Sequence, residues 1–328
     1  MTGAGRGIGR RRMVQGVAAT TAGMAIPAAA QESWPSRPVK LIIPFPAGGA
    51  SDFIARLWGD RLQGVFGQPF VLDNRGGASG TIGVEAVIRS APDGYTLLQT
   101  PNSPITVVPQ LRQVNYDARR DLVPIARVGD MVSGFVVVSS LGINSMVDLV
   151  DYATKNPGKL SYGSAGLGTA THLRIEMLKK RAGIDILHVP YRGSAEALND
   201  VLAGNIQMMN EIIALPHVRS GRLRLLAINY PTRHPDFPDV PTLTEAGFPD
   251  ADVPIWYSLH APIGASRELV TRLNARIREI AQTDDMIRRM REINFVVPIQ
   301  TPDELAAFRD ADLVANSRLV KEANIRLD

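Results

Sequence analysis

A strand that runs straight into a glycine turn and then into a helix is the feature that most restricts how this chain can fold, and it occurs twice. Val39-Lys40-Leu41-Ile42-Ile43-Pro44 reads as a buried strand and enters Phe45-Pro46-Ala47-Gly48-Gly49-Ala50-Ser51-Asp52, after which Phe53, Ile54, Leu57, Leu62, Val65 and Phe66 recur at helical spacing. Leu160-Ser161-Tyr162 leads in the same way through Gly163-Ser164-Ala165-Gly166-Leu167-Gly168-Thr169-Ala170-Thr171 into a helix carrying Leu173, Ile175, Met177 and Leu178. Short strands at Phe70-Val71-Leu72 and Tyr95-Thr96-Leu97-Leu98 alternate with helical stretches, and this β-α-β-α-β rhythm predicts a parallel, doubly wound α/β sheet. Further strands are expected at 134–138, 187–190, 206–209 and 224–228, an extended run at 256–261, and a mostly helical C-terminal part.

Each such turn exposes the first N–H groups of the helix that follows, at the carboxyl end of a strand, where open α/β sheets bind ligands. The N–H groups and the helix dipole favour an anion, and glycine lets a ligand approach the backbone. Two turns facing each other would clamp a carboxylate without any arginine. The bland alternative for a single Gly-Gly is an ordinary connecting turn.

The positive charge of the chain is local. The formal net charge is +4, with 36 Lys+Arg against 32 Asp+Glu, and Arg6, Arg10, Arg11 and Arg12 lie within residues 1–30, which carry no acidic residue. The remainder is formally neutral, which removes the electrostatic argument for a nucleic-acid partner. Residues 1–30 have the three parts of an export signal: a basic head to Arg12, an Ala-rich apolar stretch from Met13 to Ile26, and Pro27-Ala28-Ala29-Ala30 before Gln31. Cleavage is expected after Ala30, giving a periplasmic protein. Arg10-Arg11-Arg12-Met13-Val14 also resembles a twin-arginine signal, with Gly9 and Met13 in place of the usual residues, so the export route stays open; a disordered cytosolic tail is the alternative.

Enzyme readings find little support. Thr2-Gly3-Ala4-Gly5-Arg6-Gly7-Ile8-Gly9 matches the glycine pattern of short-chain dehydrogenases, but a single residue precedes it, and Tyr152 and Lys155 are spaced three apart where that chemistry needs four. A serine hydrolase using Ser164 is the other enzymatic alternative, although Ser164 lies in Gly-Ser-Ala-Gly and no G-x-S-x-G elbow occurs. The chain has no cysteine, and its five histidines show no metal-ligand spacing, so neither a metal nor a cofactor is expected.

Several stretches in order resemble the Bug-type extracytoplasmic receptors of tripartite tricarboxylate transporters. They are Pro44 through Asp52, Asn74-Arg75-Gly76-Gly77-Ala78-Ser79-Gly80-Thr81-Ile82-Gly83, Pro92-Asp93-Gly94-Tyr95-Thr96-Leu97-Leu98, Asn156 through Gly166, His188-Val189-Pro190-Tyr191-Arg192-Gly193-Ser194, and Asp239-Val240-Pro241-Thr242-Leu243-Thr244-Glu245-Ala246-Gly247. The resemblance covers nearly all of the chain from about Trp34. It implies a two-lobed, type II-like periplasmic binding protein, each lobe a mainly parallel sheet flanked by helices, with the ligand cleft between the lobes. It also implies a monomer that captures a small carboxylate (an organic, amino or aromatic acid) and delivers it to integral membrane permease subunits.

By the same resemblance the ligand carboxylate is held by Phe45 and Ala47, Gly48, Gly49, Ala50, Ser51 and Asp52 of the first loop. The second loop supplies Ser164, Ala165, Gly166, Gly168, Thr169 and Thr171. Where such receptors commonly show an Asp, two apolar residues, Phe and Asp, this chain has Gln207-Met208-Met209-Asn210-Glu211, and His260 stands where Phe is common, which implies a more polar pocket. Glu211 is a candidate partner for a ligand amino group, or an ordinary solvated carboxylate. Arg192 is a candidate for a distal ligand carboxylate, or a surface residue. Asp52 reads either as a ligand contact or, preferably, as a helix cap. The chain order places residues 33–132 with 252–328 in one lobe and 133–251 in the other, so that the chain crosses twice and hinge closure is the expected motion.

Overall fold

The computed structural model describes residues 1–5, 34–249 and 255–323, and everything from Trp34 onward forms one compact unit. The expected export signal lies, past its first five residues, outside the described residues, as do Gly7 and Gly9 of the dehydrogenase-like motif. Residues 1–5 have no regular secondary structure.

The first half runs β1 (Val39–Ile43), α1 (Ala50–Phe66), β2 (Phe70–Asn74), α2 (Thr81–Ile88), β3 (Thr96–Pro101), α3 (Val108–Leu111), α4 (Ala118–Asp121) and β4 (Leu122–Met131). There follow β5 (Ser133–Val138), α5 (Met146–Lys155), β6 (Ser161–Ser164), α6 (Ala170–Ala182), β7 (Leu187–Pro190), α7 (Ser194–Ala203), β8 (Met208–Asn210), α8 (Leu215–Arg219) and β9 (Leu223–Asn229). The chain ends with β10 (Trp256–Pro262), α9 (Arg267–Ala281), α10 (Asp284–Glu292), β11 (Phe295–Val296) and α11 (Pro302–Ala323).

Two sheets form, with strand orders β11-β4-β10-β3-β1-β2 and β7-β6-β8-β5-β9. The βα units give parallel pairs, β1 with β2 and β3, and β6 with β7 and β8. The antiparallel pairs involve the strands that cross. β5 runs antiparallel to β8 and β9, and β10 antiparallel to β3 and β4. A strand leaving one sheet at the carboxyl ends of its neighbours enters the other sheet from the same cleft and runs away from it, so it must oppose the βα strands there.

The strand–turn–helix reading of residues 39–66 holds because β1 is buried on both faces, as a strand covered by crossover helices must be. Trp58, 1% exposed, pins α1 to the sheet by donating its indole N–H to the Val128 carbonyl at 2.8 Å. The second sheet has its own apolar cluster of Phe135, Val137, Tyr162, Leu173, Leu178 and Met208. α11 bridges the two: Leu305 belongs to a cluster with Ile42 and Trp256, while Val320 packs with the core of the second sheet.

Candidate functional site

The loops that follow β1, β3, β4, β6, β7 and β8, with the start of β10, enclose one cavity of about 110 Å³. It sits where the carboxyl ends of the strands of both sheets meet, the position that a doubly wound topology reserves for ligands. Of the residues expected from sequence, Phe45, Ala47, Gly49, Ala50, Ser51, Ala165, Thr169, Thr171 and Glu211 line it.

Gly48, Asp52, Ser164, Gly166, Gly168 and Arg192 do not line it, and each has another place. Gly48 has φ +82°, a conformation that needs glycine, and donates its N–H to Asp52 Oδ2 at 3.1 Å. Asp52, 2% exposed, also accepts from Arg56 at 2.9 Å. Burial pushes its carboxyl up, but the Arg56 and Gly48 bonds outweigh that and hold it below the usual carboxylate range. Asp52 therefore braces the turn from behind, and does not serve as the N-cap of α1, which is Gly49. Arg192 is exposed, and its N–H is held by Glu196 Oε2 at 3.2 Å. Ser164 Oγ and Gly166 bond each other inside the second turn, and Gly168 donates to His172 Nδ1 at 3.2 Å.

Beside Arg192 lies what the sequence reading overlooked. Gly193, Ser194, Ala195 and Glu196, the start of α7, line the cavity opposite α1. A Cβ on Gly49 would stand 3.9 Å from the Ser194 Cβ, and one on Gly48 3.8 Å from the Ala195 Cβ, so the two helix starts meet head-on. Both helices begin at a glycine in extended conformation with no side-chain cap, Gly49 for α1 and Gly193 for α7. Hydroxyls do that work at α5, α9 and α10, where Ser145, Ser266 and Thr283 are the caps, while α2 also begins at a glycine, Gly80, without a side-chain cap.

α6 is already satisfied, since Thr169 accepts from the His172 N–H and Ser103, from the other sheet, accepts the Ala170 N–H at 2.9 Å. A second bond across the cleft joins Ser79 Oγ to the Leu167 carbonyl at 2.6 Å.

Charge in the cavity wall is one-signed. Among its described lining residues there is no Lys, Arg or His, and the ionisable carboxylates are Glu196 and Glu211. Glu211 is 4% exposed; its Oε1 accepts from Ser194 Oγ at 2.5 Å, and its Oε2 is buried without a hydrogen-bond partner. Burial raises its carboxyl to about 7, against the opposing pull of the Ser194 hydroxyl, the Arg174 charge and the nearby Ile212 N–H. Arg174, fully buried on α6, donates to Ser133 Oγ at 2.6 Å and Asn210 Oδ1 at 2.8 Å. Tyr257, also lining the cavity, has its phenol raised by burial and by the Glu211 carboxylate.

Three histidines pack against the strands and the second turn without lining the cavity. His260, unexposed, bonds Ser258 at 2.7 Å within β10, and burial lowers it to about 3. His172 and His188 stack at 4.1 Å beneath the second turn, and burial holds them near about 4 and about 3 respectively. His188 Nε2 lies 2.7 Å from Ser164 Oγ, the pair that a Ser164 hydrolase would use, but Ser164 is 1% exposed and outside the cavity wall. Among the described residues no group of three His, Asp or Glu is placed to hold a metal ion, and no helix is long and apolar enough to cross a membrane.

Two mixed sheets joined by crossing strands, with a ligand-sized cavity at their facing carboxyl ends, define a two-lobed periplasmic binding protein. A solved structure described as a periplasmic transporter matches at a TM-score of 0.87 and 35% identity, covering 90% of this chain and all of that one (100%). The chain belongs to the tripartite tricarboxylate transporter receptor family, whose model matches residues 54–325. It is 36% identical over 96% of its length to a UPF0065 protein in the tcbD–tcbE intergenic region of Pseudomonas sp. (strain P51), covering 95% of that protein. It is 35% identical over 96% of its length to BugT of Bordetella pertussis, covering 97% of it.

Two further solved structures carry ligands in their descriptions. One is a protein of R. palustris with adipate (TM-score 0.86, 33% identity, 89% of this chain and 99% of that one). The other is MatC of Rhodopseudomonas palustris with bound malate (TM-score 0.82, 27% identity, 88% and 100%).

Proposed function

We propose that this protein is an exported receptor that captures a small carboxylate in the cleft and presents it, as a monomer, to the membrane subunits of a tripartite tricarboxylate-type transporter. The observation that carries the reading is the head-on meeting of two uncapped helix starts, α1 and α7, across the cavity. Each carries about half a positive charge. Two such ends repel unless an anion lies between them, so a carboxylate both satisfies their N–H groups and permits the lobes to approach. Family membership and the relatives solved with adipate and malate support a carboxylate ligand.

In this reading residues 33–132 with 252–328, and residues 133–251, turn as units about Val132 and the chain returning from β9 to β10. The signal is removed after Ala30. Ala165, Thr169 and Thr171 form the second-lobe wall, while Arg192 stays outside. The protein binds without transforming its ligand, because the Ser164–His188 pair is out of reach of the cavity.

A thermal-shift screen of mono-, di- and tricarboxylates, amino acids and aromatic acids tests the reading, with mass spectrometry of material co-purified with the protein. At least one carboxylate is expected to raise Tm by several degrees and to be recovered unchanged. A screen in which no carboxylate shifts Tm and none co-purifies would sink it.

A further inference from the structure

The cavity wall specifies more than one carboxylate. Its positive ends are the two helix starts, and they lie together at Gly49 and Ser194. Its unsatisfied acceptor is Glu211 Oε2, on a side chain 4% exposed whose other oxygen is fixed by Ser194 Oγ, itself in the first turn of α7. The acceptor therefore adjoins the anion position, within one small cavity of about 110 Å³. A second ligand carboxylate would meet Glu211 or Glu196 and find no cationic side chain on the described wall. Bringing two like charges together in a desolvated pocket is strongly unfavourable, and leaving a buried acceptor unpaired is also costly.

We propose that the ligand is a small α-amino acid bound as its zwitterion, with the carboxylate on the N-terminal N–H groups of α1 and α7 and the ammonium on Glu211 Oε2. An α-amino acid separates its two charges by a single carbon, which matches an acceptor set beside the anion position. The proposal rests on the carboxylate-receptor reading and narrows it. Arg174 acts on Glu211 through its charge, is itself engaged by Ser133 and Asn210, and is not among the described residues that line the cavity. Glu211 is thus a specificity-determining residue, one methylene longer than the aspartate expected in such receptors.

The test is calorimetric titration of the exported, full mature chain at pH 8 with the small L-amino acids, their des-amino counterparts, glycolate and lactate, and adipate and malate. At least one amino acid is expected to bind 100-fold or more tightly than its des-amino counterpart and than either dicarboxylate. Glu211→Gln should fold, keep its circular dichroism spectrum, and narrow that ratio to under tenfold. Because a Gln also changes the Ser194 bond, Glu211→Asp serves as the second variant: it keeps the charge, and should retain a ratio above tenfold at lower affinity.

Tighter binding of adipate, malate or a hydroxy acid than of any amino acid overturns the proposal and leaves the receptor reading standing. A preference for an amino acid that survives Glu211→Gln overturns the role of Glu211. Binding of no carboxylate of any kind overturns both.

Discussion

Ser103, in the turn after β3, accepts the N–H of Ala170, the first residue of α6 in the other lobe, at 2.9 Å. The bond is buried and joins elements of the two sheets. One lobe thus supplies a cap for a helix of the other, and in the proposed hinge motion opening would hand that N–H to water. Ser103→Ala should leave the ligand-free protein's Tm unchanged and weaken the closed form by about 1 kcal/mol, raising Kd roughly five-fold. An unchanged Kd by calorimetry would show that the bond does not contribute to closure.

Gly193 stands at the same seam. Its φ of −168° is extended backbone that any residue adopts, so a side chain is tolerated by its own lobe. Across the cleft, however, a Cβ there would come within 3.2 Å of Pro46 Cδ. The methyl groups of a valine would reach further and keep α1 and α7 apart. Gly193→Val is expected to keep the apo Tm within about two degrees while Kd rises more than tenfold, because the two helix starts no longer share the ligand. Small-angle scattering should show the variant open in saturating ligand; a ligand-induced contraction equal to the wild type's would refute the argument.

How much of this was legible beforehand differs by residue. The β1–α1 unit was legible because periodicity, Gly48 and Gly49 all point the same way; that Asp52 accepts the Gly48 N–H within the turn was not. The α7 start was not. Gly193 is extended and indistinguishable in sequence from any linker glycine, and the charge of Arg192 drew the eye to a side chain that points to solvent, although the neighbouring backbone forms the wall. Met131 and Tyr257 belong to crossing strands whose apolar run reads simply as core, and only the return of β10 beside β4 brings both to the cavity. Glu211 was visible as an acidic residue after a strand. Its burial was not, because that depends on Arg174 from a distant helix.

Arg174 itself gives a stability prediction. It is unexposed, and its guanidinium holds Ser133 and Asn210 at the ends of β5 and β8 while opposing the burial of Glu211. Removing one partner of a buried charge pair leaves the other uncompensated, at a cost of about 3–5 kcal/mol. Arg174→Met is expected to lose that much in urea denaturation at pH 8, and the Arg174→Met/Glu211→Gln double variant to regain at least about 1 kcal/mol of it. Additive losses in the double variant would show that the two residues are not coupled.

The last prediction concerns pH. Burial raises the Glu211 carboxyl from 4.5 to about 7 in the ligand-free protein. A carboxyl raised on folding binds its proton more tightly in the native state, so its stabilising contribution is complete below about 4.5 and is lost as pH rises through 7. The shift corresponds to about 3 kcal/mol at the usual conversion. The stability of wild type minus that of Glu211→Gln should therefore fall between pH 4.5 and 7.5, a difference that cancels the contributions of the buried histidines common to both.

Among the described residues, Arg174 from α6, Ser194 from α7 and Tyr257 from β10 act on or are acted on by Glu211, and Glu196 of α7 lines the same cavity; the guanidinium stays charged and burial raises the Tyr257 phenol, so neither titrates in this range. A bound ammonium reverses the trend, because it favours the ionised carboxylate. Amino-acid affinity should climb roughly tenfold per unit from pH 5.5 to 7 and level off above 7.5, in the wild type and in Glu196→Gln alike. A flat profile, or one that falls with pH, would mean that Glu211 meets the ligand as a neutral acid and donates its proton to a carboxylate.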